Sequence, residues 1–153
     1  MQKITPFLWF DDNAEEAVDF YVSIFKDSKI LSAQRSGGKL FTATFQVEGQ
    51  QFMVLNGGPE YKFTEAISLF VSCETQEEVD ALWDRLVEGG TPSRCGWLKD
   101  RFGVSWQIIP TTLGRFMGDK DPVKAHRVMH AMLKMDKIDL GALQAAYEGS
   151  SEG

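Results

Sequence analysis

Two hydrophobic periodicities alternate along this chain, and the same alternation occurs twice. Residues 4–10 (ITPFLWF) are apolar on both faces and read as a buried strand. Asp11-Asp12 break it. Asn13-Ala14-Glu15-Glu16 reads as a capping box, with Asn13 accepting from first-turn N–H groups and Glu16 reaching back. Ala17, Phe20, Tyr21, Ile24 and Phe25 then keep helical spacing, and the helix should stop near Lys26-Asp27. Strands are predicted over 30–36 and 40–47, around Gly37-Gly38, with Phe41, Ala43, Phe45 and Val47 on one face. Glu48-Gly49 suits a tight hairpin turn, because glycine tolerates positive φ. Residues 51–55 form a fourth strand that ends at Asn56-Gly57-Gly58-Pro59, and 60–65 read as a linker.

A similar order returns. Residues 66–73 alternate, with Ile67, Leu69 and Val71 on one face and Ser68, Phe70 and Ser72 on the other. Thr75-Gln76-Glu77-Glu78 is a second capping box, followed by the apolar stripe Val79, Leu82, Trp83, Leu86 and Val87. Gly89-Gly90 terminate that helix. Residues 91–93 return to strand, and 94–99 and 104–110 read as two strands joined by the turn 100–103. One amide, Gln107, sits in the middle of the last of these. Glu16 and Glu78 lie 62 positions apart, and Phe20/Leu82, Tyr21/Trp83 and Ile24/Leu86 keep that offset. Gly49-x-x-Phe52 and Gly103-x-x-Trp106 match at 54. The pattern is an internal repeat.

The fold expected is therefore α+β: two tandem βαβββ modules, 1–59 and 66–110, forming a cup-shaped curved sheet in a domain spanning 1–110. A C-terminal helical extension, 111–149, should pack on that domain. It comprises a helical turn at 112–117 and a helix opened by Asp121-Pro122, with Pro at its first position. Ala125, Val128, Met129, Met132 and Leu133 give that helix its apolar stripe. A last helix is capped by Asp139 and carries Leu140, Leu143, Ala146 and Tyr147, and residues 149–153 read as a frayed tail.

Composition narrows the partners. The chain has 153 residues, 43% of them hydrophobic, and a net charge of −6. That charge disfavours nucleic acid and anionic membranes, which attract basic surfaces. The N-terminus lacks a signal-peptide pattern and no apolar run approaches a bilayer span, so a cytoplasmic location is expected. Cys73 and Cys95 then read as free thiols, with a single disulfide as the alternative.

The strand–helix–three-strand duplication resembles the vicinal oxygen chelate (glyoxalase/bleomycin-resistance) superfamily. Within it, NAEEAVDFY, CGWLKDRFGVSWQIIP and the tail KAHRVMHAMLKMDKIDLGALQAAY resemble the PhnB-like branch, which often carries the name 3-demethylubiquinone-9 3-methyltransferase domain. The methyltransferase activity in that name does not follow from the residues: no strand leads into a Gly-rich turn and helix able to seat S-adenosylmethionine. The resemblance implies two metal-ligand positions per half, one on the first and one on the last strand of each module. Here these fall at Pro6 (or Thr5), Met53, Ser68 and Gln107. Such a set lacks the imidazole and carboxylate ligands that zinc or nickel needs, so no metal and no other cofactor are expected. By parity Ser105 and Gln51 join Ser68, Gln107 and Phe70 as cavity-lining candidates, a mostly apolar pocket with a few hydrogen-bonding groups. Trp106 should face the helix.

Other candidates read more simply. His126 and His130 share a helix face, but Arg127 stands where a zincin's general base would be, so they read as solvated or packing residues. Cys95 has no nearby base and reads as structural or pocket-lining. Met129, Met132 and Met135 suit a core or a dimer contact. The expectation is a small-molecule-binding protein of the glyoxalase/bleomycin-resistance type with a metal-free cavity, forming a homodimer. The alternatives are a metal-dependent isomerase, lyase or dioxygenase, or a non-catalytic interaction protein.

Overall fold

The repeat in the sequence folds into two sheets of one topology. A computed structural model describes residues 2–149. It is α+β, with two four-stranded sheets and, among the described residues, five helices. The chain divides into two compact units, one ending at Phe63 and the other beginning at Thr64.

The first unit contains β1 (Phe7–Phe10), α1 (Ala14–Ile24), β2 (Lys29–Ser36), β3 (Lys39–Val47) and β4 (Gln50–Asn56). Strand order is β1-β4-β3-β2, with β1 parallel to β4 and the other pairs antiparallel. The turn at Glu48-Gly49 has positive φ at both residues, 51° and 80°, as the expected two-residue hairpin requires. Tyr21 of α1 stacks on Phe45, which stacks on Phe52, over a core completed by Leu8, Phe10, Val18 and Val54. Removing these rings and branched chains from water drives the unit's folding.

Three expectations change here. The first strand begins at Phe7 rather than residue 4, and Ile4 is exposed. Pro6 has no N–H to give a ladder, although its carbonyl accepts from Met53 N at 2.9 Å. Asn13 makes no capping hydrogen bond through its side chain. Asn56, at the end of β4, instead accepts from Ala14 N at 2.8 Å and donates to Leu40 O at 2.9 Å. Phe41 does not share the buried face. Thr42 pairs with Gln34 but Leu40 pairs with Arg35, so Phe41 is the extra residue of a bulge. Leu40 takes the buried side and Phe41 turns out.

The second unit contains β5 (Leu69–Cys73), α2 (Gln76–Val87), β6 (Thr91–Pro92), β7 (Trp97–Lys99), β8 (Ser105–Pro110), α3 (Thr111–Met117), α4 (Pro122–Met132) and α5 (Leu140–Glu148). Strand order is β5-β8-β7-β6, with β5 parallel to β8. Thr75 caps α2 by accepting from Glu78 N at 3.1 Å. The Glu78 carboxylate accepts from Glu74 N at 2.8 Å, one residue earlier than a capping box places it. Val79, Leu82, Trp83 and Leu86 are buried, as expected of the stripe. β5 starts at Leu69, not residue 66, and Ile67 is exposed.

β7 starts at Trp97, not residue 94, because Cys95 and Gly96 have φ of 63° and 85° and cannot extend a strand. At Gly96 a Cβ would stand 2.6 Å from Ile109 Cδ1 and 3.1 Å from Ile108 O. The N–H groups of Cys95 and Gly96 donate to the carbonyls of Met135 (2.8 Å) and Asp136 (2.7 Å), which fastens the tail to the sheet. Gln76 of α2 adds a second fastening: it donates to Ile138 O at 2.9 Å and accepts from Leu140 N at 2.7 Å.

The tail has its own core of Ile109, Leu113, Val128, Ile138 and Leu143. Asp121 and Asp139 cap α4 and α5 by accepting from Val123 N and Ala142 N. Leu133, expected in the α4 stripe, is exposed because it is the C-cap, past the last turn. Gly149 ends α5 with φ 82°, and the remainder of the predicted frayed tail, 150–153, lies outside the described residues.

Candidate functional site

In the second sheet each strand turns one side chain toward α2 and the next away from it. In β8, Trp106 and Ile108 are buried on the helix side. Ser105, Gln107 and Ile109 therefore take the opposite face. Directly paired residues share a face. Gln107 pairs with Phe70 in β5 and with Trp97 in β7, and Ser105 pairs with Lys99. The Gln107 amide is thus flanked by an aromatic residue on each side. Its Nε2 donates to Ser68 Oγ at 2.9 Å. Phe70 is 59% exposed. Ser105 is only 2% exposed, and its hydroxyl has no partner among the described residues.

A buried carboxylate holds this face in register. Asp100, 2% exposed, accepts from Phe102 N (2.9 Å), Val104 N (3.0 Å) and the Trp106 indole (2.9 Å). Fixing Trp106 inward fixes Gln107 outward, since a one-residue slip would exchange the two faces.

In the first unit Met53 occupies the place that Gln107 has in the second. It pairs with Phe7, as Gln107 pairs with Phe70. Phe7 and Phe70 are 63 positions apart, so the counterpart of Ser68 is Thr5 and not Pro6. The helix offset of 62 fails for the first strands because Asp11-Asp12-Asn13 separate β1 from α1, whereas only Glu74-Thr75 separate β5 from α2. Thr5 and Gln51 are joined by Gln2, whose amide donates to Gln51 O at 3.1 Å and lies 3.5 Å from Thr5 Oγ1. Met53 and Gln51 lie on the face opposite the buried Phe52 and Val54.

The predicted residues thus fall into two sets. Gln107, Ser68, Phe70 and Ser105 belong to the second sheet's face away from α2; Thr5, Gln51 and Met53 belong to the first unit, where Pro6 contributes only a backbone carbonyl. Sequence reasoning missed Trp97 and Gln2. The facing of Trp97 follows from where β7 begins, which the left-handed Cys95-Gly96 pair hides. Gln2 precedes any periodic segment and carries no signal.

The side chains at the implied metal positions are a thioether, two hydroxyls and an amide already turned toward Ser68. Among the described residues no group of three or more His, Cys, Asp or Glu side chains is placed to hold a metal ion. These donors do not fit zinc or nickel. His126 and His130 are exposed on α4. Both cysteines are free. Burial, reinforced by Glu78 and Glu74, pushes the Cys73 thiol up to about 12, so it is protonated and unreactive at neutral pH.

Comparison with known proteins bears on the first two thirds of the chain. The family model described as 3-demethylubiquinone-9 3-methyltransferase matches residues 2–109. The tail segment from residue 124 onward lies outside that match. Among solved structures, a PhnB protein from Bacillus cereus is 38% identical, covers 71% of this chain and 99% of its own, and superposes with a TM-score of 0.67. A protein from Pseudomonas aeruginosa is 22% identical over 71% of this chain and 96% of its own, with a TM-score of 0.58. A mutant of the fosfomycin resistance protein FosX from Listeria monocytogenes, complexed with Mn(II) and a dihydroxypropylphosphonic acid, is 15% identical over 69% and 90%, with a TM-score of 0.52. The last two likenesses are of fold alone. Comparison with curated proteins finds no match.

Proposed function

The chain belongs to the 3-demethylubiquinone-9 3-methyltransferase (PhnB-like) family of the glyoxalase/bleomycin-resistance superfamily, and from that premise we propose that it is a small-molecule-binding protein that works without a metal. The supporting observation is the Gln107–Ser68 hydrogen bond on a sheet face flanked by Phe70 and Trp97. Small-molecule sites are built this way, from an apolar surface with a few fixed polar groups. The methyltransferase activity of the family description is not carried over. Both sheets mix parallel and antiparallel pairs, unlike the doubly wound parallel sheet on which a Gly-rich turn seats a nucleotide cofactor.

A second copy of the chain is the proposed partner, covering the aromatic side chains that the first unit leaves exposed, Phe7 and Phe41. A monomeric mass by light scattering would refute this. No described helix is long and apolar enough to cross a membrane. A cytoplasmic location, with neither nucleic acid nor membrane as partner, completes the proposal. A thermal-shift screen of small molecules against the parent protein and Gln107→Leu tests the binding role. Ligands that raise the parent's melting temperature and lose that effect in the variant support it. A stoichiometric transition metal in the purified protein would favour a metal-dependent enzyme instead.

A further inference from the structure

We infer that the ligand taken by the second unit is an uncharged planar molecule carrying a hydrogen-bond donor and acceptor on one edge, such as a carboxamide or lactam on an aromatic ring. The inference rests on the small-molecule reading above and specifies its chemistry.

Charge is the first argument. Charged residues are 25% of the chain, yet the side of the second sheet facing away from α2 is almost free of them. Ser68, Phe70 and Ser72 come from the β5 segment, Ser105, Gln107 and Ile109 from β8, and Trp97 and Lys99 from β7. Lys99, the one charge in this set, is held by Glu65 at 2.9 Å and sits at the turn end of β7. A carboxylate or phosphonate laid along β8 would lose water and, among the described residues of this set, meet no cation except Lys99, which Glu65 already pairs, and that is costly. A neutral molecule escapes that cost.

The hydrogen-bonding inventory is the second argument. Gln107 uses one N–H on Ser68, leaving its carbonyl oxygen and second N–H without a partner among the described residues. Ser68 accepts from Gln107, so its own O–H remains free to donate. Acceptor and donor thus stand side by side, the complement of an amide edge. Two residues along the strand, the buried Ser105 hydroxyl has no partner among the described residues. A ligand group that reaches it supplies the missing bond. Phe70 and Trp97, paired directly with Gln107 from either side, provide aromatic surface for the ligand's ring.

Matched neutral and anionic probes decide the matter on the full chain. Benzamide and benzoate, nicotinamide and nicotinate, and 2-naphthamide and 2-naphthoate are titrated at millimolar concentration. The Gln107 side-chain amide and Trp97 indole resonances are followed by NMR, assigned with Gln107→Leu and Trp97→Phe. At least one amide should shift both resonances saturably and bind about tenfold or more tighter than its carboxylate. Ser68→Ala should weaken that amide's binding several-fold. Ser105→Ala should raise the melting temperature, by removing an unpaired buried hydroxyl, while lowering affinity. A carboxylate that binds as well as its amide, at the same resonances, overturns the neutral class and leaves the small-molecule reading standing. Shifts in neither resonance with any probe overturn the neutral aromatic amide class, while the thermal-shift screen decides the small-molecule reading separately. A Ser105→Ala protein that gains stability and keeps its affinity removes Ser105 from the site.

Discussion

Asp100→Asn isolates the device that keeps Gln107 facing outward. One Asp100 oxygen accepts from Phe102 N and Val104 N, and the other from the Trp106 indole. Asparagine can leave its carbonyl oxygen on the backbone pair, but its NH2 then faces the indole N–H, donor against donor. One bond to a buried charged acceptor is lost, worth about 1.5–3 kcal/mol, and the other two lose their charge assistance. The expected cost is about 2–4 kcal/mol. In a chain of this length that lowers the melting temperature by roughly 5–12 °C. Urea unfolding followed by tryptophan fluorescence and circular dichroism measures it. Trp106→Phe removes the indole donor and some buried ring volume, a packing cost present in both arms of the cycle, so the double variant should be less destabilised than the sum of the single ones, with a coupling of about 1–2 kcal/mol. An Asp100→Asn protein within about 0.5 kcal/mol of the parent, the size of an ordinary surface change, or an additive cycle, would refute the reasoning.

Gly96→Ala combines a left-handed backbone with crowding against Ile109 and Ile108, and should destabilise the second unit by about 2–3 kcal/mol in urea unfolding. Native protein treated with a thiol reagent should modify the half-buried Cys95 and spare Cys73, which reacts only after denaturation; rapid modification of both would contradict the buried, protonated thiol. The Tyr147 hydroxyl donates to Asp119 at 2.6 Å, which holds the Asp119 carboxyl below its usual range and raises the Tyr147 phenol above its own. The carboxylate's contribution is present above the ordinary carboxylate pKa and lost as pH falls through the lowered one. The phenol's is present below its ordinary pKa and lost as pH rises through the raised one. Urea midpoints of the parent and Tyr147→Phe should therefore differ at neutral pH and converge at both extremes.

Periodicity made the architecture legible, and single residues decided what it could not reach. The α2 stripe and the Thr75 cap were readable because helix spacing and cap chemistry are local. The facing of Trp106 followed from strict alternation in β8. Phe41 was misplaced because a bulge adds one residue without any change in composition. Asn13 looked like a cap, but Asn56, 43 residues later, reached the same helix end. Of the two first-strand positions, Pro6 and Thr5, strand pairing makes Thr5 the counterpart of Ser68, because the loop before the helix differs by one residue between the halves, a difference that helix-based alignment carries silently into the strands. The Ser68–Gln107 contact spans 39 residues, so it depends on the parallel register of β5 with β8, which no local pattern specifies.

The most direct test of a site that binds through an amide and hydroxyls rather than through a metal is the Gln107 side-chain NMR signal during titration with Mn(II). Metal bound at that position would broaden the signal beyond detection at stoichiometric Mn(II), because the paramagnetic ion would be coordinated by the amide itself. The account predicts a Gln107 signal that stays sharp with Mn(II) and shifts with an aromatic amide. Loss of the signal at one equivalent of Mn(II), restored by a chelator, would contradict it.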